Sequence, residues 1–349
     1  MKKKVYVGNV IIGGEEIILQ GMTKSDTNDA EAVLKEIEDM VEEGASLVRV
    51  AVPDRKSIDG LREIVKRSPV PVIADIHFNP DLAILSMDAG VKKIRLNPSN
   101  IRNRKDIERI VKKAKEMKIP IRVGVNSGSL VYEGKKGKIT SDDLIESLKR
   151  EVSILENLSF KDIVLSAKSP DVKLTIETYR KMKEIFPYPI HLGVTATGGG
   201  DEGLIKSSIA IGYLLMEGIG DTIRVSLTGS SSHEVRVGRL ILENLGLRKR
   251  ERVEIIACPK CGRCNKNFDK ILERIRKELG NLKIPVKIAV MGCEVNALGE
   301  AGQADYGIAL TRGKILLFKK GMKIKFIEEK DAVDELKKLI FSEVKDASI

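Results

Sequence analysis

In VIADIHFNPDLAILSMDAGVKKIRLN, residues 72–97, a β-branched run gives way to a segment of helical period and then to a second β-branched run. Six more runs of this kind flank it: IILQGM (17–22), LVRVAV (47–52), RVGVN (122–126), DIVLSA (162–167), IHLGVT (190–195) and TIRVSL (222–227). Between them lie segments such as DAEAVLKEIEDMVEEGA and RKDIERIVKKAKEMK, apolar at i, i+3, i+4 and i+7, the spacing of one helix face. Strand–helix alternation predicts right-handed crossovers and a parallel sheet. Eight units between residues 17 and 246 fit a closed (β/α)8 TIM-type barrel, with an open doubly wound sheet as the structural alternative.

Past Gly246 the texture changes. A charged connector, LRKRER, leads to CPKCGRC (258–264), a helical FDKILERIRKELG, a strand VKIAVMG, Cys293, a Gly-rich turn and a final β/α section. The expected organisation is a barrel over 1–246 and a smaller α/β domain over 247–349 that holds all four cysteines.

The chain of 349 residues carries a formal charge of +11, from 61 basic and 50 acidic residues. Such a charge suits nucleic acid, an anionic small molecule or an acidic protein partner. Aromatic residues make up only 4%, Trp is absent, and the basic residues are scattered among Glu and Asp, which argues against nucleic acid. MKKKVYVGN lacks the apolar centre of a secretory signal, and no run of eighteen apolar residues occurs. A cytoplasmic protein is expected, and there a close cysteine cluster reads as a metal or redox site.

In a barrel the strand residues that do not pack against helices point into the lumen. Alternation puts Arg95 and Asn97 on one face, and Arg122, Gly124 and Asn126 on one face. It likewise joins Arg49 with Ala51, Ser166 with Lys168, Arg224 with Ser226, and Asp75 with His77. One aspartate cannot neutralise four arginines and a lysine, so an anionic ligand is the simplest explanation. The loops TATGGG (195–200) and TGSSSHE (228–234) follow the seventh and eighth strands, where barrels commonly bind phosphate at helix N-termini. His77 and His233 should flank the barrel mouth, whereas His191 lies early in its strand.

Cys-x2-Cys-x2-Cys suits zinc or an iron–sulfur cluster, and a lone distant Cys293 is closer to the cluster pattern than to paired zinc knuckles. The text around these cysteines, ACPKCGR and IAVMGCEVNALGEAGQADYGIAL, resembles the 4-hydroxy-3-methylbut-2-enyl diphosphate synthase family, iron–sulfur enzymes of the non-mevalonate isoprenoid pathway. The resemblance runs on through VRVAVPD (48–54), PVIADIHFNP (71–80), IRLNPSNI (94–101), IRVGVNSGSL (121–130), HLGVT (191–195) and GIGDTIRVSLT (218–228).

The resemblance implies reductive ring opening of a cyclodiphosphate with two electrons from reduced ferredoxin or flavodoxin. It also implies a homodimer in which each barrel faces the partner's cluster domain. By motif position a [4Fe–4S] cluster would sit on Cys258, Cys261, Cys293 and Glu300, the carboxylate being the ligand that substrate oxygen can displace. Arg49, Arg95, Arg122, Asn126, Lys168, Arg224 and Ser226 would bind the substrate, while Asp75, His77 and Asn97 orient it and Glu234 transfers a proton. The chain departs from the family at Cys264, an additional thiol read as spare, and at Ala196, where a Glu is usual after GVT. SLTGSSSHEV also lacks the family's acidic pair after SLT. A non-catalytic zinc-ribbon binding protein, or a barrel enzyme on another phosphorylated metabolite with an electron-storing cluster, are the competing readings.

Overall fold

The computed structural model describes residues 3–346 apart from 102, 133, 135–136, 296–298, 300 and 312, and the chain divides into two units, Met1–Arg248 and Lys249–Ile349. The first begins with an antiparallel pair, β1 (Val5–Val7) and β2 (Val10–Ile12). Eight parallel strands follow: β3 (Ile18–Met22), β4 (Leu47–Ala51), β5 (Val72–Asp75), β6 (Lys93–Arg95), β7 (Ile121–Asn126), β8 (Ile163–Lys168), β9 (His191–Leu192) and β10 (Thr222–Ile223). Each corresponds to one of the eight runs. β3 lies between β4 and β10, and the bridge Leu165↔Ile190 joins β8 to β9. Every strand therefore has two parallel neighbours, and the sheet is a barrel rather than an open doubly wound sheet.

Helices α1 (Ala30–Glu42), α2 (Ser57–Arg67), α3 (Pro80–Asp88), α4 (Arg104–Glu116), the short α5 (Ser127–Tyr132), α6 (Ser141–Asn157), α7 (Val172–Ile185), α8 (Gly200–Met216) and α9 (Ser231–Asn244) connect them. Their starts are written locally. The Asn79 side chain accepts from Asp81 N at 2.9 Å just before Pro80, which is pre-set for the first helical turn. Thr140 and Asp143 form a reciprocal capping box at α6. In α4 the buried set Ile107, Ile110, Val111 and Ala114 is the i, i+3, i+4, i+7 stripe, and the rest of the helix is charged.

Strand alternation sorts the side chains. Val48, Val50, Ala74, Ile94, Val123 and Leu165 face the helices in the main core. Their neighbours in sequence point to the axis. At the N-terminal end these are Ile18, Leu47, Ile73 and Val164, which pack with Val5, Val7 and Ile12 of the hairpin. The hairpin thus plugs one end of the barrel with apolar side chains. Higher along the same strands the axis turns basic.

The second unit is a five-stranded sheet in the order β11 (Glu254–Ala257), β12 (Lys287–Met291), β13 (Tyr306–Leu310), β14 (Ile315–Lys319), β15 (Met322–Ile327). The first three strands are parallel and the last three antiparallel. α10 (Phe268–Leu279) and α11 (Ala332–Asp346) cover one face, with Ile271, Ile275, Leu336 and Ile340 against Ile288, Val290, Ile308 and Leu317. The opposite face carries Ala289, Met291, Ala309, Leu316 and Phe318. Among the described residues no helix is long and apolar enough to cross a membrane.

Candidate active site

The upper lumen gathers the expected cations around one carboxylate. Asp75, at the end of β5, lies 3.8 Å from Arg49 Nε on β4 and 3.7 Å from Arg95 Nε on β6. The His77 Nε2 is 3.7 Å from the same carboxylate. Arg95 NH1 sits 2.9 Å from His77 Nδ1; as guanidinium can only donate, the imidazole proton belongs on Nε2, facing Asp75. Asn97 clamps the neighbouring backbone, donating to Gly124 O at 2.8 Å and accepting from Gly124 N at 2.9 Å. Arg122 donates to Ser166 Oγ at 2.5 Å, and Lys168 Nζ stands 3.4 Å from His191 Nε2.

Two glycines make room for this crowding. A Cβ at Gly124 would stand 2.6 Å from both Arg122 NH1 and Ser166 Oγ, and one at Gly193 would stand 2.7 Å from Lys168 Nζ. A cavity of about 130 Å³ remains, lined by Arg49, Arg95, Arg122, Lys168, Arg224 and Asn126 among others. His77, Arg95 and Asn126 also line a second cavity of about 730 Å³, which extends over Ser99, Ser129 and Arg150.

The electrostatics are lopsided. Burial opposes ionisation of Asp75, but Arg49, His77, Arg95 and Arg122 outweigh it and hold the carboxyl well below its usual range. Burial, then Arg122 and Arg224, depress the proton affinity of Lys168. Burial and Arg49 pull Arg224 down to about 10 against the support of Glu234. Buried polar atoms without a hydrogen-bond partner include Asp75 Oδ1, Arg122 Nε, Arg224 Nε and Lys93 Nζ, all on lumen-facing residues. An anion with several acceptor oxygens is the ligand such a lumen lacks.

Glu234 is buried in the first turn of α9 and fully engaged. It accepts from Leu227 N at 2.8 Å, and it stands 3.0 Å from Lys24 Nζ and 3.3 Å from Arg224 NH2. Lys24 also donates to Leu227 O and Gly229 O at 2.9 and 2.7 Å, so this ion pair stitches the loop after β10. His233 is exposed beside it, and its backbone N–H donates to the Ser230 cap. Ser226 and Thr195 line the small cavity, whereas Ala196 is exposed with φ of +50°. His191 is wholly buried and hydrogen-bonded through Nδ1 to Thr222 Oγ1.

Sequence reasoning missed two lumen residues, Lys93 and Gln20. Alternation in KIRLN places Lys93 on the Arg95 face, a signal that could have found it; Gln20 is uncharged and gives no comparable signal.

In the second unit, Cys258 follows β11 and its N–H donates to Val290 O at 3.0 Å. Cys264 N donates to Cys261 O, and Asn265 N to Gly292 O, each at 2.9 Å. These bonds hold the loop 258–265 beside the end of β12, where Cys293 stands. A side chain at Gly292 would collide with Cys264 Sγ. All four thiols are free. As they stand, no three His, Cys, Asp or Glu side chains among the described residues close on a metal-binding point. Soft sulfur donors grouped at two neighbouring strand ends nevertheless fit an iron–sulfur group chemically. Glu300 lies outside the described residues.

Residues 2–239 match the GcpE TIM-barrel domain, and residues 254–342 the GcpE protein C-terminal domain. A protein of Caldanaerobacter subterraneus subsp. tengcongensis is 47% identical over 99% of this chain and 98% of its own length; its name is 4-hydroxy-3-methylbut-2-en-1-yl diphosphate synthase (flavodoxin). A protein of the same name from Clostridium perfringens is 48% identical over 97% of both chains. Another from Bacillus cereus is 44% identical over 97% of this chain and 92% of its own. Among solved structures, dihydropteroate synthase from Yersinia pestis superposes with a TM-score of 0.53 at 12% identity, covering 70% of this chain and 98% of that one. The Thermus thermophilus dihydropteroate synthase gives 0.53 at 18% identity, with the same coverage. Those two are similar in fold alone.

Proposed function

The chain belongs to the GcpE family, and on that premise we propose that it opens 2-C-methyl-D-erythritol 2,4-cyclodiphosphate reductively to 4-hydroxy-3-methylbut-2-enyl diphosphate. It is thus an oxidoreductase of the non-mevalonate isoprenoid pathway. The reaction takes up two electrons and a proton, breaks the carbon–oxygen bond that closes the ring, and releases a hydroxyl as water. The observation that carries this reading is the lumen itself, with Arg49, Arg95, Arg122, Lys168 and Arg224 lining one cavity with Asp75. A zinc-ribbon binding protein would have no use for such a lumen, and the named relatives give that reading no support.

Arg49, Arg95, Arg122, Lys168 and Arg224 hold the two phosphates, with Asn126 and Ser226 as neutral donors at the cavity wall. The loops 195–200 and 228–234 close over them. Asn97 fixes Gly124, and Asp75 keeps Arg49 and Arg95 aimed at the axis. Glu234, expected to transfer a proton, is committed to Lys24, Leu227 and Arg224. In this reading it anchors Arg224, and proton delivery falls to Nε2 of His77, whose ring borders both cavities.

Cys258, Cys261 and Cys293 would hold a [4Fe–4S] cluster with Glu300 as fourth ligand, leaving Cys264 spare. Such a cluster would supply the two electrons of the reaction. The relatives' names specify flavodoxin, which we take as the donor here. We also infer a homodimer.

The test is iron and acid-labile sulfide analysis of anaerobically prepared protein, with spectra of the reduced protein before and after the cyclodiphosphate. About four irons and four sulfides per chain, with a spectrum altered by substrate, are expected. Zinc without sulfide in protein never exposed to air would overturn the mechanism.

A further inference from the structure

Below the arginines the lumen holds a lysine that the reaction as described does not use. Lys93 lies two residues before Arg95 on β6, and Ile94 between them packs outward. Lys93 is 0% exposed, and its Nζ has no hydrogen-bond partner. Its register partner on β5 is Ile73, part of the apolar plug. Outside β6, α3 and α4 bury Leu82, Ala83 and Met87, and Ile107, Ile110 and Val111.

Among the described residues, the titratable groups that share the lumen with it are Asp75 on β5, His77 just after it, Arg95 on its own strand, Arg49 on β4, Arg122 on β7, Lys168 on β8, His191 on β9 and Arg224 after β10. Asp75 is set against Arg49 and Arg95. Gln20 from β3 has both side-chain polar atoms unpartnered. Lys93 therefore faces guanidiniums and, among the described residues, has no counter-ion. Burial, then Arg122 and Arg49, depress its proton affinity far below that of an ordinary lysine. An anion arriving in the cavity reverses the sign of that field.

We propose that Lys93 is a deeper anion-binding residue, which takes up a proton from solvent when the diphosphate enters and so adds its charge only to the occupied lumen. This rests on reading the lumen as the diphosphate site. The ligand itself cannot account for the proton, because a cyclic diphosphate has one strongly acidic oxygen on each phosphorus and keeps its charge near neutral pH. The sign follows from linkage. Binding raises the proton affinity of Lys93, so the substrate binds tighter at lower pH and more weakly as pH rises through the lysine's bound-state value.

Calorimetric titration of oxidised holoenzyme with the cyclodiphosphate, anaerobic and without reductant, in buffers of different ionisation heat counts the protons taken up. Wild type should take up about one proton more per ligand than Lys93→Met. The variant should bind about tenfold more weakly. Lys168, also buried, contributes equally in both proteins, so the difference isolates Lys93. Equal proton counts overturn the assignment. Should Lys93→Met not fold, Lys93→Gln takes its place in the same comparison, and wild-type affinity independent of pH overturns the assignment without any variant. A cyclodiphosphate that does not bind removes the proposed function as well, whereas binding with equal counts removes only the role of Lys93.

Discussion

Asp75 stands within 3.7–3.8 Å of Arg49, His77 and Arg95, a carboxylate set between two guanidiniums and an imidazole. Its folded-state pKa lies below the unfolded value of about 3.9, because the surrounding positive charge outweighs the cost of burial. The stability it contributes is therefore complete above the unfolded value and is lost as pH falls through the folded one. Asp75→Asn should cost about 3 kcal/mol at neutral pH, since it leaves buried guanidiniums without an anion. Urea denaturation across pH checks this, and the gap from wild type should close in acid. Sequence alternation was sufficient to place Asp75 with its arginines. It could not show that Glu234 is consumed by Lys24 and Leu227 N, because those partners come from β3's following loop and from the chain after β10.

β9 is paired only over His191–Leu192, and the chain then passes Gly193, where a Cβ would stand 2.7 Å from Lys168 Nζ and 2.8 Å from Arg224 O. The lysine end can swing away, but the carbonyl belongs to the backbone just past β10, where Arg224 N donates to Leu192 O at 3.0 Å, and cannot. Gly193→Ala should thus move Lys168 and spread the β9–β10 edge while the other six strands keep their pairing. Steady-state kinetics should give a KM raised by about tenfold or more, with near-native circular dichroism. An unchanged KM would show that Lys168 needs no such clearance. The eight strands and their helices were legible because each carries its own period. The β1–β2 hairpin was not, since two three-residue strands have too few residues to display alternation.

For the molecule as a whole, α8 carries an apolar stripe that its own barrel leaves uncovered: Ile205, Ile209 and Met216 are exposed by 52%, 51% and 77%. Gly212, between them, has open space above it. Isolated exposed apolar residues are ordinary, but three on one helix face beside a glycine suit close approach of a second helix. On the homodimer proposed above, this stripe is the face the two copies would share. Light scattering should find a dimer for wild type and a monomer for Ile209→Glu, with the barrel still folded. A dimer unaffected by the charge would place the contact elsewhere.

What the sequence determined by itself follows from short-range periodicity. Alternation separated helix-facing from axis-facing residues, eight repeats closed the barrel, and the surplus of inward arginines implied an anion. The cysteine spacing and the words around it were likewise local. Only tertiary structure decided which charges meet. Lys93 becomes a lysine without a counter-ion among the described residues, and Glu234 a carboxylate held by Lys24 and Arg224, because strands distant in sequence converge on one axis. There, pairing depends on distances of a few ångströms that no local pattern encodes.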